Sequence, residues 1–356
     1  MAVLRLPNPG SDLDRFVSTF ALIARETQTK SFDLDDMTSV MTRHFQASSM
    51  GAHGEEAVRL STRDDRTRDP LFNQSKMYSE LYRMLGWIRS SAESHSTFYV
   101  TPLGSTVMNY HFAGGPETKG LVGESFIAAV FPNPSTLNVG IINHRPFAQL
   151  LKLAFLLDGE ITRDEMIIGV LSVTDDLLPD IVEKNAQLIL QLRKKNRQAA
   201  SIAVEDIAKT NNLQVNTLEN YTRLPVAILG SEYLGWGNGV YSNVTYSGKE
   251  KVKIIRLTEL GRKKAKLLTE CTDLRIASVE GYSTSERAWL AQYGYYSMAL
   301  RAGINDKQVL NMVKTSSGKV RNLIKELKIS DPERIIFNPS LQESDLVLKK
   351  VSEISE

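Results

Sequence analysis

The amino-acid sequence predicts an α+β protein that is mainly α-helical, with small β hairpins (wings), built from modules in tandem. Apolar residues recur at helical spacing over most of the chain, and short glycine-flanked apolar runs of strand length interrupt them. A helix followed by a hairpin pattern occurs twice, over residues 77–108 and 224–268. Both copies place Leu-Gly-Trp after the helix and Thr-x-Leu-Gly after the second strand. This order is typical of a winged helix, so we expect tandem winged-helix or helix-turn-helix modules.

Five segments are expected along the chain. They are 1–110 (N-terminal helices and the first winged helix with an Arg-rich recognition segment), 111–200 (a connector and a second helix-turn-helix module), 201–275 (an inserted winged helix with a basic wing), 276–340 (a third helical module) and 341–356 (a linker-like tail). Residues 110–134 contain several glycines and prolines, which favour a connector.

Local signals predict the individual elements. Asp12 or Ser11 precedes an apolar-periodic helix, and Thr162 with Glu165 three residues later forms a capping box. Further helices are expected over 35–45, 146–157, 177–197, 202–208, 216–229 and 284–302, and a short strand over 334–337. Together these elements predict an array of small helical modules.

Composition restricts the class of protein. The 356 residues are 42% hydrophobic and 24% charged, as in an ordinary globular protein. The single cysteine, Cys271, excludes internal disulfides and multi-thiolate metal sites. Since the chain has no run of about eighteen apolar residues and no signal-peptide core, we expect a cytoplasmic protein without a membrane partner. The formal net charge is only +2, so any phosphate-binding face has to come from local clustering of cations.

An Arg-rich segment precedes the first predicted hairpin module. Arg63, Arg66 and Arg68 alternate there with serine and threonine. Arginine suits guanine edges and phosphates, and hydroxyls suit phosphate oxygens, so these arginines are candidate DNA contacts. The alternative is a solvated loop in which the neighbouring residues Asp64, Asp65 and Asp69 offset the positive charge.

The helix ahead of the second predicted hairpin carries a polar group at its start and one turn further on. Its members are Asn216, Thr217, Asn220 and Arg223. Asparagine pairs bidentately with adenine and arginine with guanine, so this group is a candidate for reading bases. The alternative is a helix cap followed by an ordinary polar face. A similar group near residues 315–321 includes Lys319 as a further candidate.

The second hairpin carries a cluster of cations. Lys249, Lys251 and Lys253 lie on it, and four more basic residues follow between residues 262 and 266. The lysines of such a wing would bind backbone phosphates, each neutralised phosphate steepening the salt dependence. The alternative is an exposed helix face that lysines keep soluble. The aromatic residues are expected in the core (Trp87, Trp236, Trp289, Tyr293, Tyr295 and Tyr296).

Candidate catalytic patterns lack the setting that chemistry requires. Pro179-Asp180 begins a predicted helix, Glu117-Thr118-Lys119 lies in the expected connector, and residues 326–328 lie inside a helix. Metal-holding carboxylates converge from rigid neighbouring elements, which none of these positions provides. The five histidines show no paired spacing, and no phosphate-binding glycine loop is present. The sequence therefore predicts no catalytic residue, metal site or cofactor in this chain.

Three stretches resemble type IIS restriction and nicking endonucleases of the AlwI kind. They are Leu60 to Arg66, Tyr82 to Ile88, and Val100 to Gly104. The recognition halves of those enzymes carry a Ser-Thr-Arg-Asp-Arg-like stretch, an aromatic-rich helix and a wing. The resemblance continues weakly over residues 133–176 and 335–346, and it leaves out the segment with the second wing.

The resemblance implies sequence-specific recognition of double-stranded DNA. In that family a metal-dependent nuclease domain follows the recognition half, so cleavage would come from a nuclease domain or subunit not visible in this chain, with Mg²⁺ as its cofactor. Arg63 and Arg66 would then read bases or brace the first recognition helix. Three alternatives remain: a winged-helix transcriptional regulator, a complete endonuclease with a cryptic metal site, and a protein-interaction scaffold in which the wings bind protein.

Overall fold

The computed structural model describes residues 3–7, 12–27, 30–46, 48–49, 52–60, 69–91, 94, 96–130, 144–173, 175–176, 178, 180–195, 198–242, 252–274, 283–304 and 334–336. The described residues are mostly helical, with small sheets of two or three strands, which confirms the predicted α+β class.

The helices are α1 (Leu13–Thr27), α2 (Leu34–Arg43), α3 (Glu55–Arg59), α4 (Pro70–Met84), α5 (Pro102–Ala113), α6 (Glu117–Ala128), α7 (Pro146–Leu156), α8 (Arg163–Met166), α9 (Ile181–Lys195), α10 (Ala199–Thr210), α11 (Val215–Tyr221), α12 (Arg223–Leu229), α13 (Glu259–Thr269) and α14 (Thr284–Arg301), with one π-helical turn at Ile167–Leu171. The strands are β1 (Ser48–Ser49), β2 (Ala52–His53), β3 (Ile88–Ser90), β4 (Phe98–Val100), β5 (Glu160–Thr162), β6 (Gly237–Ser242), β7 (Val252–Leu257), β8 (Thr272–Asp273) and β9 (Ile335–Ile336).

The chain divides into two compact units. The first unit comprises Asp14–Ala129 and Thr272–Glu356, and the second comprises Met1–Leu13 and Val130–Cys271. The second unit joins segments that the sequence assigned to different modules, because β5 pairs with β7 across the expected boundary near residue 200. The physical reason is backbone hydrogen bonding. β7 lies between β5 and β6, so its N–H and C=O groups pair with both strands.

An aromatic cluster forms the core of the first unit. The rings of Phe16 and Tyr82 lie 4.8 Å apart, and those of Phe20 and Trp87 are equally close. Tyr82 donates its hydroxyl to the backbone oxygen of Phe16 at 2.9 Å. Burial, reinforced by the neighbouring Tyr78, raises the pKa of Tyr82 well above its usual value. The cluster ties α1, α4 and the start of β3 together.

A hairpin follows α4 in the first unit. β3 and β4 pair antiparallel, with Arg89 directly opposite Tyr99. Phe32, just before α2, forms an antiparallel bridge with Phe98 through backbone hydrogen bonds of 3.0 and 2.7 Å. The order across this small sheet is therefore Phe32, β4, β3.

The second unit contains a sheet with the corresponding order, β5-β7-β6. β6 and β7 form the hairpin, and β5 pairs antiparallel with β7 from the other side. A capped helix directly follows the outer strand in both units. Asp33 forms a capping box with Asp36 at the start of α2, and Thr162 forms the predicted one with Glu165 at α8.

A threonine staple closes both hairpins. Thr101 donates its hydroxyl to the carbonyl oxygen of Gly86 at 2.6 Å and accepts the amide of Gly104 at 3.0 Å. In the second unit, Thr258 makes the same two bonds, to Gly235 at 2.6 Å and from Gly261 at 3.1 Å. The repeated Leu-Gly-Trp and Thr-x-Leu-Gly motifs thus build one local structure twice.

An expectation about local structure was wrong. The predicted connector over 110–134 consists largely of the end of α5 and the whole of α6, and nine residues of α6 are buried. The Gly and Pro in that region only separate the two helices: Gly114 ends α5 with φ of 73°, and Pro116 precedes α6. The basic residues 262–266, which follow the second hairpin, lie in α13, a helix that Thr258 caps.

Candidate nucleic-acid interface

A tight turn joins α10 to α11 in the second unit. Asn212 has φ of 52°, in the left-handed region, and the amide of Leu213 donates to the carbonyl of Ala208 at 2.9 Å. Val204 and Ala208 of α10 and Leu218 of α11 are buried. The two helices therefore share a core, and α11 keeps its opposite side towards solvent.

The solvent side of α11 carries the predicted amides. Asn216 and Asn220 are exposed and lie one helical turn apart, while Thr217 is half-buried. Side-chain amides offer a donor and an acceptor together, which matches the major-groove edge of adenine. This spacing places two exposed amides on one side of α11, the arrangement expected of a pair that reads bases.

Arg223 is also exposed, but it belongs to a different helix from the two asparagines. The sequence predicted one helix over 216–229, whereas the structure ends α11 at Tyr221 and begins α12 at Arg223. Pro225 supplies the reason, because it has no amide to donate to the preceding turn. Thr222 between the helices keeps helical angles (φ −82°, ψ −7°). Every other residue of α12 is buried, so Arg223 alone presents this helix to solvent.

Lys253 lies on β7, directly opposite Tyr241 of β6. Its stem crosses the neighbouring strand, since a Cβ atom placed on Gly239 would lie 2.5 Å from the Lys253 Cε. Lys253 is half-buried, while Gly239 beneath it is exposed. Because Gly239 has no side chain, the Lys253 stem can lie flat on the sheet at this position.

Several other cations of the second unit hold the unit together. Arg256 pairs with Glu160 at 2.7 Å across the sheet, and Arg262 donates to the carbonyl of Asp158 at 2.7 Å. Arg193 binds Glu165 with two bonds of 2.7 and 3.0 Å. These arginines therefore have structural partners that account for them.

Six predicted site residues lie outside the described residues: Arg63, Arg66, Arg68, Lys249, Lys251 and Lys319. The residue that follows the Arg-rich segment is described. Asp69 is buried and caps α4, accepting the amides of Leu71 at 2.9 Å and Phe72 at 3.3 Å. One of the three acidic residues expected to offset the arginines is therefore committed to a helix N-terminus.

The two hairpin tryptophans are core residues, as predicted. Trp87 is fully buried and donates its indole N–H to Ser125 at 3.1 Å, and Trp236 is also buried. Sequence reasoning did not consider two exposed tyrosines, Tyr99 and Tyr241, on the strands that follow these tryptophans. The signal was available in the alternation of β4, where Tyr99 falls between two residues that face inwards.

The described residues bring together no group of three or more His, Cys, Asp or Glu side chains that could hold a metal ion. Within the same residues, each helix is too short or too polar to cross a bilayer.

No protein-family model matches this chain, and no curated protein matches it in sequence.

Proposed function

We propose that the chain recognises a specific double-stranded DNA sequence through two winged-helix modules, one in each compact unit. The observation that carries the proposal is the exposed pair Asn216 and Asn220 on α11, in a unit where helices lie between β5 and β6 of a three-stranded sheet of order β5-β7-β6. A major groove is wide enough to admit one helix, and asparagine pairs with adenine there. The corresponding sheet order around Phe32 supports the same assignment for the first unit.

The contacts divide by chemistry. Asn216, Thr217, Asn220 and Arg223 would contact base edges, and Lys253 would bind a phosphate of the flanking backbone. The predicted contacts outside the described residues would extend both sets, Arg63, Arg66 and Arg68 in the first unit and Lys249 and Lys251 beside Lys253. Lys319 would bind a phosphate.

We further propose that this recognition serves a type II, type IIS-like restriction endonuclease. The resemblance of the segments around residues 60–66, 82–88 and 100–104 to AlwI-type enzymes supports this role. Cleavage would then be supplied by a nuclease domain or a partner subunit that uses Mg²⁺. Recognition and cleavage are separate claims, since the first can hold without the second.

Selection from a random duplex library tests the recognition. The chain should retain one enriched asymmetric site, and Asn216→Ala, Asn220→Ala and Arg223→Ala should each cost about 1–3 kcal/mol of specific affinity and relax the preference at one position. Gln187→Ala on α9 is a matched exposed amide, and Arg5→Ala a matched exposed arginine of the same unit; both should bind like the natural chain. A library that emerges without enrichment would overturn the proposal, and a palindromic site would favour a dimeric regulator.

Incubation with plasmid and magnesium tests whether cleavage comes from a separate nuclease domain or subunit. The purified chain alone should leave supercoiled plasmid intact. Addition of the nuclease partner should produce cutting at a fixed offset from the selected site. Nicking by the chain alone would show instead that it contains its own catalytic centre.

A further inference from the structure

The two hairpins expose an aromatic ring beside a cation. Among the tyrosines whose side chains the structure describes, Tyr99 and Tyr241 are the exposed ones, at 37% and 69%. Tyr99 lies directly opposite Arg89 on the neighbouring strand, and Tyr241 lies directly opposite Lys253. The same pairing of chemistry therefore occurs in both units, on the element that follows the Leu-Gly-Trp motif.

The first pair is already stacked. The Arg89 guanidinium carbon lies 5.2 Å from the centre of the Tyr99 ring. The neighbouring pairs of this hairpin point the other way, because Ile88, Ser90 and Phe98 are buried. Arg89 and Tyr99 thus occupy the outer face of the sheet, and stacking restricts the arginine before any ligand arrives.

The second pair lies towards the outer end of its hairpin. Ile255 and Leu257 cover the base of β7 with buried apolar side chains, whereas Tyr241 and Lys253 are one pair from the end of the ladder as far as it is described. Large aromatic side chains left in water forgo the stabilisation that burial provides. Tyrosine, with an apolar ring and a hydroxyl at its tip, is enriched at interfaces.

We propose that Arg89 with Tyr99, and Tyr241 with Lys253, are paired contacts to the DNA sugar-phosphate backbone. In each pair the cation binds one phosphate, the phenol hydroxyl donates to a neighbouring phosphate, and the ring lies against the sugar between them. Arginine, lysine and tyrosine all supply donors of this kind in complexes with duplex DNA. The inference rests on the proposed DNA recognition and adds Arg89, Tyr99 and Tyr241 to its contacts.

The salt dependence of binding tests the cations. The probe is a fluorescein-labelled duplex retained by the full chain from the random library, titrated at several salt concentrations. Arg89→Ala and Lys253→Ala should each reduce the slope of log affinity against log salt by about 0.9, the value for one lost phosphate contact. Arg256→Ala is the matched control, because this hairpin arginine is exposed and already bound to Glu160; its slope should remain that of the natural chain.

The tyrosines are tested by affinity at one salt concentration. Tyr99→Phe and Tyr241→Phe keep the ring and remove only the hydroxyl, so each should weaken binding about tenfold, as expected for a hydrogen bond to a charged group. Leu188→Ala, which removes an exposed apolar side chain from α9, should bind normally. Unfolding midpoints equal to that of the natural chain would show that the fold is intact.

The outcomes separate the two claims. If the natural chain binds the duplex and the Arg89 and Lys253 variants keep its slope, the paired contacts are refuted while DNA recognition stands. If the natural chain shows no salt-dependent binding of any duplex, the proposed function fails, and the paired contacts fail with it.

Discussion

The hydroxyl of Thr258 donates a 2.6 Å hydrogen bond to the carbonyl oxygen of Gly235, and a bond of the same length joins Thr101 to Gly86. In both places the glycine has positive φ, 66° at Gly235 and 73° at Gly86, which favours a residue without a Cβ atom. The staple holds the turn before the hairpin against the helix after it. Each hairpin is therefore anchored at its base by one side chain.

Removing the staple should destabilise the protein. Thr101→Val and Thr258→Val keep the side-chain shape but lose the helix cap, so each should lower the free energy of unfolding by about 1 kcal/mol. Thr101 is buried and Thr258 is only half-buried, so Thr101→Val should have the larger effect. Urea denaturation measures the difference. Thr210→Val, at an exposed helix end, is the control, and equal effects at all three positions would contradict the role of the staple.

The glycine three residues after each staple threonine lies against backbone. A Cβ atom at Gly104 would lie 2.1 Å from the Trp87 carbonyl oxygen, and one at Gly261 would lie 1.9 Å from that of Trp236. Gly104→Ala and Gly261→Ala should therefore cost about 3 kcal/mol or more, at the upper end of overpacking.

Comparison with Gly114→Ala separates the cost of steric crowding at Gly104 from the cost of backbone strain. Gly114 has φ of 73°, and among the described residues no atom lies within 4 Å of the place an added Cβ would take, so alanine there should cost only about 1 kcal/mol. A Gly104→Ala variant as stable as Gly114→Ala in chemical denaturation would show that the hairpin base can shift apart.

A buried ion pair links α6 to α14 in the first unit. Arg301 donates to Glu124 at 2.7 Å with both side chains fully buried, and it also donates to the carbonyl of Ile335 at 2.7 Å. Arg301→Met leaves a carboxylate buried without its cation, so it should destabilise by about 3–5 kcal/mol.

The double variant Glu124→Leu/Arg301→Met should recover much of that loss, because it removes both charges together. Thermal unfolding of the natural chain, the two single variants and the double variant gives the coupling. Additive losses in the double variant would mean that the pair contributes through packing alone.

Stability should fall in mild acid through His111. Burial lowers the pKa of His111 from its usual value, and the charge of Asp14 partly opposes the shift. The unfolded chain therefore takes up a proton as the pH falls through about 6.5, while the folded chain resists it, so the free energy of unfolding decreases until the folded pKa is passed. Above that window His111 makes no such contribution.

Denaturation curves between about pH 7.5 and 5 measure this effect. His111→Gln should remove part of the acid destabilisation, and Asp14→Asn should enlarge it, because the group that opposes the shift is lost. Identical pH dependence in the natural chain and His111→Gln would contradict the assignment.

Local chemistry made part of this fold predictable. Thr162 with Glu165 specified a helix start, and the repeated Leu-Gly-Trp and Thr-x-Leu-Gly motifs specified two equivalent turns, because each signal acts within a few residues. The pairing of β5 with β7 was not predictable in this way. Arg256 and Glu160 meet across 96 positions of sequence, and a three-residue strand has no periodicity to reveal its partner.

The candidate interface was likewise predictable only where the signal is local in sequence. The exposure of Asn216 and Asn220 followed from the polar face of a predicted helix. The structural role of Arg193, Arg256 and Arg262 could not be predicted, because the sequence does not show whether an arginine pairs within its unit or is available to a phosphate. Tyr99 was missed because aromatic residues near hairpins are usually core.

The strand order of the second unit has a consequence for its biogenesis. β7 occupies the middle of the sheet but leaves the ribosome last of the three strands, so β5 and β6 emerge with no strand to bond to. Until residue 257 has been translated, their apolar side chains and backbone groups stay open to chaperones and to pairing with other nascent chains. The sheet therefore cannot form before β7 has emerged, and nascent chains truncated before Val252 should be protease-sensitive.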